Sequence, residues 1–559
     1  MKRLKKIKIT LLFILFIFSI NSFSQFSKTH YIPPIGTQGQ GSGTPQIQYM
    51  YISTPNENPI DVIITPIGGE PITVSISNSS PYEYFIGDGN QTNFIALSED
   101  SGQTFNNKGF IVEGEDLVYV SARLFTSDAY YQAAGLVSKG LAALGKTFRV
   151  GTFENLGDDM SNSFLNFVTV LATEDNTTVN FSDFGNGVTI VNNAPINDVI
   201  LNSGESYLVA IKPGDNINNS DGLIGVLVES DKPIAVNSGS ITGSNANTTT
   251  DSNGQDAGVD QIVPIERIGT EYIFVRGIGP DQIERPLIVA HEPDTEVYVN
   301  GTLEYTIAQA GEHWSIPSSF YGVSYDQYGQ GPEIGVSSNM YVETSKPVFA
   351  YQVIGGIRPG TEGPFGAGTG IPNQGLFFVP PINCQTPSIV NNIAAINKLG
   401  PDFAFGGVVT IVTETGSTVL INGNDISDYA GDVQPVNGNP LFETYTVEGL
   451  TGNVSIVSSS QVYVASFGAY DYATFGGYYS GFAYKPEIVL EEISVGSEGC
   501  IPNLELRLNS ISIFDQYQWY FNGEMIDGAI GNSFTPTEPG YYQISGAVDD
   551  CEGILLSDD

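Results

Sequence analysis

Leu117-Val118-Tyr119-Val120, Pro233-Ile234-Ala235-Val236, Pro347-Val348-Phe349-Ala350 and Gln461-Val462-Tyr463-Val464 are one short apolar strand written four times along a 559-residue chain. Their first residues lie 116, 114 and 114 positions apart, so the chain reads as tandem copies of a unit of about 115 residues. Two copies share their approach as well, Glu229-Ser230-Asp231-Lys232-Pro233 and Thr344-Ser345-Lys346-Pro347. A feature of one unit can therefore be checked against the other three.

Working outward, each unit opens with a Gly ahead of a strand: Gly43-Thr44, Gly145-Lys146, Gly269-Thr270 and Gly400-Pro401. These set expected units at about 43–142, 143–266, 267–398 and 399–485, behind a Gly/Gln-rich lead-in at 25–42. Next come two strands around a polar turn: 63–65 with 73–76, 168–173 with 178–181, 287–290 with 296–299, and 408–412 with 418–421. Asn300-Gly301 and Asn422-Gly423 then predict tight hairpins. Ser203-Gly204-Glu205 and Ala310-Gly311-Glu312 announce a later strand, and Ser101-Gly102-Gln103 is the counterpart in the first unit. Alternating apolar and polar positions give an all-β fold with one face of each sheet buried. A unit of this size suits a β-sandwich, making a packed array of four; the rival is two meanders per unit, closing into a propeller.

After the repeated strand each unit carries an irregular stretch, roughly 124–140, 239–259, 355–375 and 467–481. All four hold one topological position, and insertions at one place in every repeat mark a binding face. Tyr130 and Tyr131 in the first, and Tyr470, Tyr472, Phe475, Tyr478 and Tyr479 in the last, are the candidate ligand-contacting side chains, since rings set among glycines in an exposed loop can stack on sugars or proteins. The competing reading is that the rings pin the loops to their own units.

Residues 1–24 carry Lys2, Arg3, Lys5, Lys6 and Lys8, an apolar run from Ile9 to Ile20, and Ser22-Phe23-Ser24, which reads as a secretory signal peptide. The run is shorter than the roughly 20 residues a membrane span needs, so no transmembrane segment is expected in the mature chain. The formal charge of −40 becomes −45 without the leader's five cations, which argues against nucleic acid and anionic lipid as partners. Three cysteines exclude a disulfide framework: Cys384 reads as a lone buried thiol, while Cys500 and Cys551 bracket the last segment and suit a pair. Within that segment, about 492–559, Leu504-Leu506-Leu508, Tyr517-Gln518-Trp519-Tyr520-Phe521 and Gly540-Tyr541-Tyr542 read as an immunoglobulin-like sandwich, with truncation at the end of the chain as the expectation.

Catalytic signatures are few. His30, His291 and His313 are the only histidines, and no nucleophile elbow, Walker A loop or zinc-protease motif occurs. Asp251, Asn253 and Asp256 resemble the start of a calcium loop, but the glycine is misplaced and the closing Glu is missing. A carboxylate pair for polysaccharide hydrolysis leaves no local spacing signal, so an enzyme of that kind is the alternative function, and a structural spacer the third.

The phrase Ser230-Asp231-Lys232-Pro233-Ile234-Ala235-Val236-Asn237-Ser238-Gly239 resembles the IgGFc-binding protein N-terminal domain family, over about residues 40–485. The final module is similar to immunoglobulin-like modules in surface proteins of gliding, Bacteroidetes-type bacteria that use type IX secretion. The resemblance implies a non-enzymatic, cofactor-free adhesin-like protein, secreted or on the bacterial outer surface, with an extracellular glycan or protein as ligand.

Overall fold

The computed structural model describes residues 27–559 except 40–42, 127–131, 157–163, 196–197, 246–255, 278, 325–337, 356–373, 430–432, 471–472, 483–486, 493–503, 510–515, 548–554 and 558–559. The described residues form strands joined by turns and 3-10 turns of three or four residues.

One pairing scheme organises them. A long strand, Phe110–Thr126, pairs through its first half with Ser27–Ile32 and Ile60–Pro66, and through its second half with Pro45–Ser53 and Ala133–Val137. Leu227–Gly243 does the same with Gly145–Arg149 and Thr177–Ser182, then Leu165–Ala172 and Asp256–Ile262. Asn339–Ile354 follows with Gly269–Val275 and Thr295–Val299, then Leu287–Ala290 and Gly375–Phe378. In the last set the long strand is broken into Val454–Ser458 and Val462–Tyr470, which take Ile389–Ile393 with Val419–Ile421, and Gly406–Glu414 with Ala473–Tyr478. Each long strand thus takes different neighbours along its two halves, and the repeated tetrapeptide sits at or beside the start of the second half, where Val118, Val120, Ile234, Val236, Val348 and Val462 are fully buried.

The strand that returns after each long strand is the innermost of its set. These four inner strands, Ala133–Val137, Asp256–Ile262, Gly375–Phe378 and Ala473–Tyr478, touch in cyclic order, first to second to third to fourth and back to first. The closure needs glycine: a Cβ on Gly258 would stand 2.6 Å from Leu376 Cβ, and one on Gly477 would stand 3.4 Å from Val137 N. The architecture is therefore all-β, with curled sheets packed round a ring that their four inner strands close.

Several boundaries move. The first strands of the first and fourth sets are Ser27–Ile32 and Ile389–Ile393, upstream of the Gly openings at 43 and 400. The lead-in is also structural: the carbonyls of Tyr31, Pro33 and Pro34 accept bonds from Gln261, Asn237 and Thr169 of the second set. The expected pairing of 168–173 with 178–181, and its two later counterparts, is corrected. Those strands do not pair with each other: each pairs with a different part of the long strand, since an isolated hairpin would leave one apolar face of each exposed. The first set does form its expected hairpin, Ile60–Pro66 with Ile72–Ile76. The Asn-Gly hairpins form as well, with φ of 50° and 84° at Asn300-Gly301 and 50° and 79° at Asn422-Gly423.

Beyond the ring, Leu504–Asn509 and Gln516–Phe521 belong to two small sheets around Trp519, which is fully buried and donates from Nε1 to Gly531 O at 2.8 Å. No described helix is long and apolar enough to cross a membrane.

Candidate binding face at one end of the ring

Every long strand runs in the same sense through its set, so the ends of the long strands and the starts of the inner strands that follow them lie at one end of the ring. The hairpin tips that join them, with Tyr130, Tyr131, Tyr472, Asp251 and Asn253, lie outside the described residues. What is described is the layer that carries them.

Between the second and third sets that layer is buried and polar. Gln374, just before its inner strand, accepts from the Asn245 backbone N–H at 2.6 Å and donates from Nε2 to Ser244 Oγ at 2.8 Å. Ser244 N donates to Asn155 Oδ1 at 2.8 Å, and Asn155 Nδ2 donates to Asn166 Oδ1 at 2.9 Å. Arg285 donates to Asn245 O at 3.2 Å and to Glu154 Oε2 at 2.5 Å, with His313 Nε2 at 3.6 Å from Glu154 Oε1. Burial pushes the Glu154 carboxyl up, but His313 and Arg285 outweigh it and hold the group below its ordinary range. Glu284 accepts three backbone N–H bonds, from Gly277, Gly279 and Gly355, at 2.7–3.1 Å; burial nonetheless leaves its carboxyl raised. These side chains hold the described chain ends that flank the second and third tips.

The opposite part of the ring is locked by Lys139 and Asp260, both buried, at 2.7 Å. Burial drives the Lys139 ammonium down and the Asp260 carboxyl up, and their contact works against both. Asp260 also accepts from the N–H groups of Gln261 and Phe378, while Lys139 Nζ lies 5.5 Å from the Phe482 ring centre, so this pair touches all four sets. Between the fourth and first sets the seam is Arg123. Its Nη1 donates to the carbonyls of Ala395 and Lys398, both at 2.7 Å, and Nη2 to that of Ala394 at 2.9 Å. The guanidinium lies 4.0 Å from the Tyr51 ring centre and 4.7 Å from that of Phe475.

Several expected ligand contacts are corrected here. Phe475, Tyr478 and Tyr479 are 3%, 2% and 3% exposed. The last hairpin is laddered from Ala465–Tyr478 to Tyr470–Ala473, so residues 467–481 are mostly strand, and the rings fill the seam with the first and third sets. Phe475 packs on Phe405, Tyr478 donates to Gln352 Oε1, and Tyr479 meets Tyr119 edge-on. Tyr470 is half-buried between Phe125 and Phe405. Asp256 opens an inner strand and is fully buried, accepting from Ala257 N, so it is not an exposed calcium ligand. Cys384 is disulfide-bonded, which corrects the lone thiol; Cys500 and Cys551 lie outside the described residues. The sequence reading missed Arg123, Lys139 and Arg285. Their one signal was a cation set in a strand or beside one in a chain with only 21 Lys and Arg.

Compared with known proteins, residues 134–468, more than half of the chain, match the sequence profile of the family described as IgGFc binding protein. No curated protein matches. Among solved structures, Sidekick-1 immunoglobulin domains 1-5 align at 9% identity and a TM-score of 0.11, covering 95% of this chain and 98% of that one. A calcium-stabilised adhesin that helps an Antarctic bacterium bind ice aligns at 12% and 0.10, covering 83% and 99%. A mutant Salmonella alpha-2-macroglobulin aligns at 9% and 0.12, covering 96% and 46%. Scores this low carry no structural argument.

Proposed function

From the premise that the chain belongs to the IgGFc binding protein family, we propose that it is an extracellular, adhesin-like binding protein that grips a glycan or protein ligand with the four hairpin tips at one end of its ring. The observation that supports this reading is the closed cycle of inner strands, which brings the strand ends flanking the tips of four sets to one end of the ring. Their bases are anchored by buried side chains, the arrangement expected where loops bind and a scaffold holds them. The tips differ in length, with two residues between Tyr470 and Ala473 against twenty between Ile354 and Gly375.

The buried carboxylates Glu154, Asp260 and Glu284 are each engaged by a cation or by backbone N–H groups, which favours scaffold roles over hydrolysis of a polysaccharide. The test is to replace 127–131, 246–255 and 356–373 one at a time with Gly-Ser linkers and to measure binding to glycan arrays and to cell surfaces. Loss with at least one replacement, in a variant that keeps its thermal stability, is expected. Full binding by all three overturns the proposal.

A further inference from the structure

Each set ends at an outer margin strand: Tyr82–Asp88, Ser206–Ile211, His313–Ser315 and Phe442–Leu450. In three places the connection from margin strand to long strand reaches the margin of the following set. Thr104–Phe105 of the first set adds directly to Ser206–Ile211 of the second. Gly225 of the second set packs on Gly311 of the third so closely that a Cβ there would stand 1.8 Å from Gly311 O. Asn339, closing the third connection, donates to Pro435 O and Thr444 Oγ1 in the fourth, whose margin is lined by Gln434–Pro435.

The fourth connection breaks this succession. It is only Thr451-Gly452-Asn453, and it bonds within its own set: Gly452 N donates to Asn397 Oδ1, and Ile396 N to Gly452 O. Going round the ring, the margin it would have reached is Tyr82–Asp88. That seven-residue strand pairs with Pro45–Ser53 on one side, and among the described residues no strand pairs with the other. An unpaired edge of this length is a template for another strand.

Its chemistry selects the occupant. Phe85 is 49% exposed, with its ring centre 5.1 Å from that of Tyr49, and Glu83 and Asp88 are exposed beside it. Burial, then the charges of Asp402, Asp88 and Glu83, raise the Tyr49 phenol, which marks the local field as negative. A bulge at Ile86, between the pairs Gln48–Gly87 and Tyr49–Phe85, twists the edge. A second copy of a chain with a formal charge of −40 is repelled from such an edge; a cationic strand is drawn to it.

We propose that Tyr82–Asp88 is a strand-addition site that takes an extended, positively charged segment of a partner protein, filling the margin that, among the described residues, has no donated neighbour. It lies on a strand other than those joined by the hairpin tips.

Fluorescence anisotropy on the full secreted chain tests this, with a labelled peptide of about ten residues alternating Lys and Thr. Saturable binding is expected, weakened about tenfold or more by Glu83→Lys with Asp88→Lys, and lost when alternate residues of the peptide are replaced by Pro, which cannot donate to a ladder. Hydrogen exchange should slow at 82–88 when the peptide is bound, and replacing the hairpin tips should leave its affinity unchanged. Any of four results overturns the proposal: no binding, equal binding of the Pro peptide, equal binding of a Glu/Thr peptide, or unaltered binding by the double variant together with protection elsewhere.

Discussion

Arg123 concentrates more of the ring's closure than any other side chain at the seam between the fourth and first sets. Three carbonyls of the 394–398 turn and two aromatic faces depend on it. Arg123→Ala should lower unfolding stability by about 3 kcal/mol or more in denaturant titration. Arg123→Lys should recover little, because an ammonium cannot reproduce the flat fork. His30 gives a pH signature. Its ring is fully buried, with Nε2 donating to Val118 O at 3.0 Å and Nδ1 2.9 Å from Ser138 Oγ, and burial lowers its pKa to about 4 despite the bond to Val118. The folded value lies below the unfolded 6.5, so the unfolded chain takes up the proton first on acidification. The stability His30 protects is therefore complete above about pH 6.5 and is lost as pH falls towards 4, on the order of 3 kcal/mol. A His30→Gln chain should lack that component of a stability profile taken between pH 4 and 7. Neither residue was legible in sequence, since the partners of both are brought together by long-range folding.

Among the elements, the turn glycines were readable because their reasons are local, and the inner-strand glycines were not. Gly301 has φ of 84° and open space around it, so Gly301→Ala costs only the left-handed backbone, about 1 kcal/mol. Gly258 has no positive φ, but a Cβ would lie 2.6 Å from Phe153 Cζ and Leu376 Cβ and 2.8 Å from Leu376 N. Gly258→Ala should cost more, about 1–3 kcal/mol, and thermal denaturation of the two variants checks the order. The same physics explains the misread aromatic stretch. Phe475-Gly476-Gly477-Tyr478 looks like loop composition, yet the glycines let neighbouring strands approach and the rings fill the seam beside them. Strands such as 165–172 and 177–182 were correctly placed as strands. Their pairing was misassigned because adjacency in sequence suggests a hairpin, whereas each ladders with a different part of the shared long strand.

At the scale of the whole molecule the period of about 115 residues was plain from four tetrapeptides, and it carried the all-β fold with it. Closure into a ring was not, because it rests on contacts between sets that no single period encodes. The disulfide at Cys384 adds a tie outside this scheme. Peptide mapping without reductant should therefore recover Cys384 in a disulfide-linked peptide pair. Recovery of Cys384 as a free thiol would contradict that link. The claim on which the binding face depends is ring closure, and it can be tested by one engineered bond. A Cβ built on Gly477 lies 3.5 Å from Val137 Cβ, within the roughly 3.5–4.5 Å a disulfide spans, although the two positions are 340 residues apart. The chain carrying Val137→Cys and Gly477→Cys should form that bond within one molecule on mild oxidation, read as a faster band on a non-reducing gel and as a linked peptide pair by mass spectrometry. Free thiols at both positions, or bonds only between molecules, would show that the first and fourth sets do not meet and would contradict the ring.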